Sequence, residues 1–258
     1  MIKEIDEIKE PGTNPEAKSA DSHNQSLAVL MPAYNEEEGI ALAVSEVCHE
    51  VLDLIPGSYL IVVNDGSKDR TGPILDDLAK TDSRVRVIHK PNGGHGPALV
   101  KALNSATTDY VFTIDSDMQI PLSCFPELWK TALQPDVDGV FGIRMNRQDP
   151  KARLALSVII SFTLGAIFKV RLVDTNIPCK IFRREIWSKL YNLVQDDSLL
   201  APSIAIAIYA RRHNYRIVDV PVPHRARTKG ESSLKIKRLL TFCWNGLTQL
   251  WTLKDKIS

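Results

Sequence analysis

Asp115 and Asp117 stand one residue apart at the end of the apolar run YVFTI (110–114), and Gln119 follows two residues later. A strand that ends in two acids presents both beyond the sheet once the chain leaves its pleat. Hard oxygen donors of this kind suit Mg2+ or Mn2+, which take one or two carboxylates and fill their remaining positions with water and phosphate oxygens. Gln119 adds a neutral oxygen within reach. Acids are also common in solvated turns, so the pattern gains meaning only from its surroundings. Two further apolar runs end in the same way: SLAVLMPAY (26–34) leads into Asn35 and Glu36, and YLIVVND (59–65) closes on Asp65. Taken singly, NEEEG reads equally well as acids at a helix N-terminus and NDGS as a turn.

A second, basic group lies downstream. GIRMNRQDPKARLALS carries Arg144, Arg147, Lys151 and Arg153, with Ser157 four residues after Arg153; VPHRARTKGESSLKIKR carries Arg225, Arg227, Lys229, Lys235, Lys237 and Arg238, with Ser232 among them. Arginine suits planar, two-pronged recognition of phosphate, whereas a basic run without a ligand is a solvated face. Asp174, in VDTNIPCKIFRR, is the candidate proton acceptor if the chemistry must deprotonate a hydroxyl; its other reading is a turn stabiliser.

The elements that must position these groups alternate. Apolar runs at 26–34, 59–65, 84–90 and 110–117 are separated by helical patterns, one with Ile40, Val44, Val47, Val51 and Leu54 on one face, others over RTGPILDDLAK and GPALVKALNSA. Strands alternating with helices imply right-handed crossovers and a mostly parallel sheet, and such sheets bind ligands beyond their carboxyl ends, where Glu36, Asp65, Asp115 and Asp117 all fall. GxxxxGK[ST] is absent, and NGGHGPAL (92–99) lacks the last glycine of GxGxxG, so P-loop and dinucleotide sites are disfavoured.

The 258 residues allow one sizeable core, and a net charge of +1 argues against a globally basic nucleic-acid binder. Cys48, Cys124, Cys179 and Cys243 form no CxxC pair and read as free thiols of a reducing cytosol. Residues 1–25 mix charge with Pro, Gly and Asn, resemble no signal peptide, and are expected to form a disordered tail. The apolar run Leu154–Phe168 is too short to span a bilayer. Together with LKIKRLLTFCWNGLTQLWTLKDK it reads either as core helix or as helix lying in a membrane interface, with basic ends and a Trp- and Leu-rich body.

PAYNEEEGI, VVNDGSKDRT, NGGHGPAL and DSDMQIP occur in the order and spacing of family 2 glycosyltransferases, and the chain over about residues 26 to 240 resembles the polyprenyl-phosphate sugar synthases of the dolichyl-phosphate mannose synthase type. The resemblance implies an α/β GT-A fold, Rossmann-like, with amphipathic interfacial helices in its C-terminal half. It divides the chain into a nucleotide half (26–120), an acceptor half (121–233) and a C-terminal amphipathic helix (234–258). It implies that Pro32, Tyr34, Glu36, Asp65 and Asp115 hold the nucleotide, that Asp115, Asp117 and Gln119 hold Mg2+ or Mn2+, and that Arg144, Arg153, Ser157, Arg227 and Ser232 surround the donor diphosphate and acceptor phosphate. Asp117, Arg144, Arg153 and Asp174 are the catalytic candidates. The chain departs from the pattern at Ser233, where relatives often carry Lys, and at Pro178-Cys179, where small residues are usual. The implied partners are a nucleotide-sugar donor (UDP- or GDP-linked), a polyprenyl-phosphate acceptor, and the cytoplasmic face of a membrane, reached directly or through a separate membrane protein. Alternatives are transfer to a sugar hydroxyl with Asp174 as base, or a non-catalytic sugar-nucleotide binding module. A nucleotidyltransferase would want a glycine-rich basic loop after the first strand, where this chain is acidic.

Overall fold

The structure, a computed structural model, describes residues 25–145, 151–174, 177–225 and 236–257; of 151–156, 236–240, 242 and 243 it describes the backbone alone. In chain order the elements are β1 (Leu27–Ala33), α1 (Ile40–Val47), β2 (Tyr59–Asp65), α2 (Thr71–Thr81), β3 (Val85–Lys90), α3 (His95–Ser105), β4 (Tyr110–Ile114), α4 (Phe125–Ala132), β5 (Gly139–Arg144), α5 (Lys151–Phe168), β6 (Cys179–Arg183), α6 (Arg184–Val194), α7 (Pro202–Arg212), β7 (Ile217–Val222), α8 (Ile236–Thr252) and α9 (Lys254–Ile257).

The strands form one seven-stranded sheet in the order β3-β2-β1-β4-β6-β5-β7. Pairings β1–β2, β2–β3, β1–β4 and β5–β7 are parallel, while β6 runs antiparallel to both β4 and β5. The continuous apolar runs of β1, β2 and β4 follow from burial on both faces. Alternate residues feed two cores: Leu27, Val29 and Met31 face α1 and α4, whereas Ala28 and Leu30 face the layer of α3, α6 and α7. Leu250, Leu253 and Ile257, from α8 to α9, are buried in that second layer. Cys48, Cys124 and Cys179 are free thiols.

Two details depart from the sequence pattern. The first helix runs regularly only to Val47 and then widens into a π turn over Cys48–Leu52. The wide turn shifts the helical phase, so Leu54 is 55% exposed and Ile55 takes its place in the core. β4 stops at Ile114, so Asp115 and Asp117 both lie beyond the strand. Met118, between the second acid and Gln119, has φ of 54°, a left-handed conformation that non-glycine residues seldom adopt; this bend turns the chain away from the sheet.

Two charged residues among those described, Asp65 and Lys180, are buried to 3% exposure or less. Lys180 of β6 is 1% exposed, and its Nζ donates to the Ile177 carbonyl (2.7 Å) and Ser203 Oγ (2.6 Å). Desolvation pushes its pKa down to about 7, against the pull of the Asp174 carboxylate. The unfolded chain keeps this proton up to about pH 10.5, so between the two values folding releases a proton and stability rises with pH. Denaturant unfolding of wild type and Lys180→Met from pH 6 to pH 9 should show wild type gaining on the variant above pH 7, by up to about 1.4 kcal/mol per pH unit. A second test concerns the wall above α3. A Cβ on Gly96 would overlap the carbonyl oxygens of Leu199 and Leu200. Gly96→Ala should therefore cost about 1–3 kcal/mol in the same measurement.

Candidate active site

A cavity of about 480 Å3 opens at the carboxyl ends of β1, β2 and β4, within the size range of ligand pockets. Pro32, Tyr34, Glu36 and Asp65 line one side, and Asp115, Ser116 and Asp117 line the middle. The start of α3, Pro178 and residues 200–203 close the other walls. Of the residues expected to hold nucleotide and metal, only Gln119 is not among the lining groups.

The loops after β1 and β2 are stitched together by side chains. Asn35 N–H donates to Ser67 Oγ (3.0 Å), and Lys68 N–H returns a bond to Asn35 Oδ1 (2.8 Å). Glu36 N–H donates to Thr71 Oγ1 (2.8 Å), and Glu37 accepts from Arg70 N–H (3.0 Å). Asp69, just before α2, accepts from Thr71 N–H (3.0 Å) and Thr71 Oγ1 (2.6 Å), and the Thr71 bonds draw its pKa down against desolvation. Most polar residues of NEEEG and NDGSKDRT therefore build the frame that holds Glu36 and Asp65 at the cavity.

Asp65 is 3% exposed. Its carboxylate accepts from Lys90 Nζ (2.5 Å), Gly93 N–H (2.9 Å) and Gly94 N–H (2.7 Å), and its carbonyl accepts from Asn92 Nδ2 (2.8 Å). Gly94, at φ of 94°, lets the chain turn its amide toward that carboxylate. The motif NGGHG thus folds around Asp65, and a nucleotide meeting Asp65 would find it already fixed in place.

Asp115 is more open: its side chain is 31% exposed, and His95 Nε2 lies 2.8 Å from Oδ1. Desolvation pulls the imidazole pKa down, but the Asp115 carboxylate outweighs it and leaves the value raised. Asp117 Oδ1 accepts from Gln119 N–H (3.2 Å). Gln119 is tied to the start of the basic segment: Arg225 N–H donates to its carbonyl (2.8 Å), and its Nε2 lies 3.5 Å from the Arg225 carbonyl. With the amide nitrogen turned to Arg225, Oε1 is the remaining ligand atom of that side chain. Among the described residues no three His, Cys, Asp or Glu side chains converge. Two partly exposed carboxylates with an amide oxygen nevertheless fit Mg2+ or Mn2+, which take the rest of their shell from water and phosphate.

Arg144, the last residue of β5, and Asp174 form a buried pair, with side chains 13% and 7% exposed. Asp174 Oδ2 accepts from Arg144 N–H (3.0 Å) and Nε (2.9 Å), and Oδ1 accepts from Nη2 (2.5 Å). Asp174 itself has φ of 42°, a strained conformation held by this fork. Both of its oxygens are engaged, so taking a proton from an acceptor would require the pair to separate. The two candidates, read from the sequence with separate roles, form one unit.

Arg153 lies on α5 with its side chain outside the described set, and Ser157 lies one turn further along the same helix. Arg147, Arg227, Lys229, Ser232 and Lys235 lie outside the described residues. Sequence reasoning missed His95 and Lys180. NGGHG reads as a failed dinucleotide loop and as a family motif, and neither reading assigns a role to its histidine, which opens α3; the signal at Lys180 is a lysine inside the apolar strand CKIF.

Comparison with known proteins agrees with this geometry. An undecaprenyl-phosphate 4-deoxy-4-formamido-L-arabinose transferase of Photorhabdus laumondii is 27% identical over 88% of this chain and 69% of its own length. The protein of the same description from Aeromonas hydrophila is 28% identical over 88% and 68%. Among solved structures, glucosyl-3-phosphoglycerate synthase from Mycobacterium tuberculosis, in complex with Mn2+, uridine diphosphate and phosphoglyceric acid, superposes with a TM-score of 0.69. It is 19% identical, over 95% of this chain and 84% of that one, a likeness of fold. Residues 28–191 match the family described as glycosyl transferase family 2. That match covers more than half of the chain, and the protein accordingly belongs to glycosyl transferase family 2, as a glycosyltransferase of the GT-A fold.

Proposed function

We propose that the protein transfers a sugar from a nucleoside-diphosphate donor to a polyprenyl phosphate, with inversion at the sugar C1. The observation that carries this reading is the division among the acids: Asp115 stands open at the cavity, while Asp174 is closed by Arg144. A phosphate acceptor is already anionic near neutral pH and needs no base, whereas a hydroxyl acceptor does. The names of the undecaprenyl-phosphate relatives support a lipid phosphate as acceptor, and the Mn2+- and uridine-diphosphate-bound neighbour supports a metal-assisted donor site.

In this reading a phosphate oxygen of the acceptor bonds to C1 as the bond from C1 to the donor diphosphate breaks. The bonding electrons leave with the nucleoside diphosphate. Asp115, Asp117 and Gln119 would hold Mg2+ or Mn2+, which when bound supplies positive charge opposite the departing diphosphate. Pro32, Tyr34, Glu36 and Asp65 seat base and ribose, and His95 fixes the Asp115 carboxylate. Arg144, oriented by Asp174, together with Arg153 and Arg227 and the hydroxyls of Ser157 and Ser232, receives phosphate oxygens.

No helix among the described residues is long and apolar enough to cross a membrane. The lipid acceptor would instead be met at a surface. α5 presents Val158, Ile159 and Phe162 at 60–78% exposure, and α8 presents Trp244 at 69% and Trp251 at 58%. Large exposed apolar side chains on helices that also bury Leu164, Phe168 and Leu250 in the core suit seating in the headgroup region. The protein would thus work as a peripheral enzyme at the cytoplasmic face.

Incubation with UDP- and GDP-sugars, Mg2+ or Mn2+, and undecaprenyl phosphate should yield a lipid-linked sugar, and Asp117→Ala should lower turnover about a hundredfold or more. Product formed only on a sugar hydroxyl would refute the lipid-phosphate acceptor. In flotation with anionic phospholipid vesicles, Phe162→Ser with Trp244→Ser should weaken binding at least about tenfold. Turnover of a short-chain, water-soluble polyprenyl phosphate should stay unchanged. Equal vesicle binding by variant and wild type would exclude these helices as the anchor.

A further inference from the structure

Beyond the acids, the cavity has a deeper polar end that none of the roles above uses. Thr113 of β4 lines it, is 3% exposed, and its Oγ1 has no hydrogen-bond partner among the described residues. A buried hydroxyl left unpaired is costly, and a water, an ion or a ligand group that completes the bond removes that cost. Directly across the antiparallel ladder stands Lys180, whose side chain therefore lies on the same face of the sheet. Its Nζ donates to Ser203 Oγ at 2.6 Å, and Ser203, in the first turn of α7, also lines the cavity. Thr113 and Ser203 thus bring two hydroxyls to the cavity wall apart from its acids, with Lys180 bonded behind Ser203.

The position of this end identifies its ligand class. Thr113 lies two residues before Asp115, about 6–7 Å back along the strand. Its partner across the ladder, Lys180, belongs to β6, which flanks β4 on the side away from β1 and β2. A nucleotide sugar is linear in its connections: base, ribose, diphosphate, sugar. With base and ribose over β1 and β2 and the diphosphate at the acids beyond β4, the next group along the molecule falls toward β6. The chemistry of the three side chains agrees. Threonine and serine hydroxyls each donate and accept, and an ammonium donates, which together match the ring hydroxyls of a sugar. A second anion would face the nearby Asp115 and Asp117 carboxylates.

We propose that Thr113, Ser203 and Lys180 form the subsite for the ring hydroxyls of the transferred sugar, and that they set which sugar the enzyme accepts. The assignment rests on the donor reading given above. Thr113 and Ser203 touch the sugar, and Lys180 positions Ser203.

Binding measured by calorimetry in the presence of Mn2+ tests this. The ligands are UDP, GDP, UDP-glucose, UDP-galactose, UDP-N-acetylglucosamine, GDP-mannose, and monodeoxy analogues of the tightest binder. Thr113→Val should leave the free nucleoside diphosphate within about twofold and weaken the preferred nucleotide sugar about 5–12-fold, the value of one hydrogen bond. In this variant one deoxy analogue, lacking the hydroxyl that Thr113 meets, should lose its disadvantage against the full sugar. Thr113→Ser should restore the discrimination, and Ser203→Ala should erase the penalty for a hydroxyl of its own. If sugar nucleotide and free nucleotide weaken in parallel, or if every deoxy penalty persists in both variants, the hydroxyls serve a buried water or the fold. The subsite is then wrong while the donor reading stands. If neither UDP nor GDP nor any of their sugars binds with Mn2+ or Mg2+, the donor reading itself fails and the subsite with it.

Discussion

The antiparallel seam between β4 and β6 determines where everything else in the site can be. Tyr110 pairs with Arg183 and Ile114 with Cys179, so β6 begins where β4 ends. The segment entering β6, with Asp174, Ile177 and Pro178, is thereby delivered to the end of the sheet that carries Asp115 and Asp117. Had β6 run parallel, Arg183 would stand at that end and the 174–178 segment would lie at the opposite edge. Because β5 is also antiparallel to β6, its last residue Arg144 returns to the same end. β7 pairs in parallel with β5 and carries the chain up to Arg225, where it meets Gln119. One reversal of direction brings the ends of β4, β5 and β7 and the start of β6 to a single mouth.

Concentrating charge at one mouth raises an electrostatic problem that the structure meets by pairing within short distances. Asp65 is held by Lys90 and two amides, Asp115 by His95, and Asp174 by Arg144. The degree of closure differs and sorts the acids by task. The Asp65 and Asp174 side chains are 4% and 7% exposed, so their charges are balanced by protein donors. The Asp115 side chain is 31% exposed and is the one of these three best placed to exchange its partner for a ligand. A buried pair resists separation, since removing one member typically costs about 3–5 kcal/mol. An acid so held is a poor choice for a group that must swing to take a proton.

Legibility in the sequence followed the range of the interactions. The acids at the strand ends were readable because an apolar run and its terminal residue are neighbours in the chain, and the parallel half of the sheet follows from strand–helix alternation. The reversal at β6 was not readable: CKIFR is five residues long with a lysine inside, and nothing local tells its direction. Arg144 and Asp174 were both singled out, yet their union spans 30 residues and follows only from the β5–β6 register. The π turn after Val47 escaped because an unbroken helical period extrapolates past it. His95 and Thr113 were hidden for a simpler reason, since one histidine or threonine has no spacing to read.

The same seam explains why the arginine is more useful fixed than free. A guanidinium on a flexible side chain must lose rotamer freedom each time it meets a phosphate, and that loss subtracts from binding. In Arg144 the loss has been incurred during folding: Nε and Nη2 are locked onto Asp174, which sets the plane of the group before any ligand arrives. In the proposed transfer both reacting partners are phosphates, and the demand on the protein is to hold two anions at one carbon without letting them repel. Preorganised positive charge meets that demand directly, because it need not reorganise as charge shifts from acceptor to leaving group. In that proposal Asp174 acts through geometry, by fixing Arg144, and the catalytic resource is the placement of cations around the sugar.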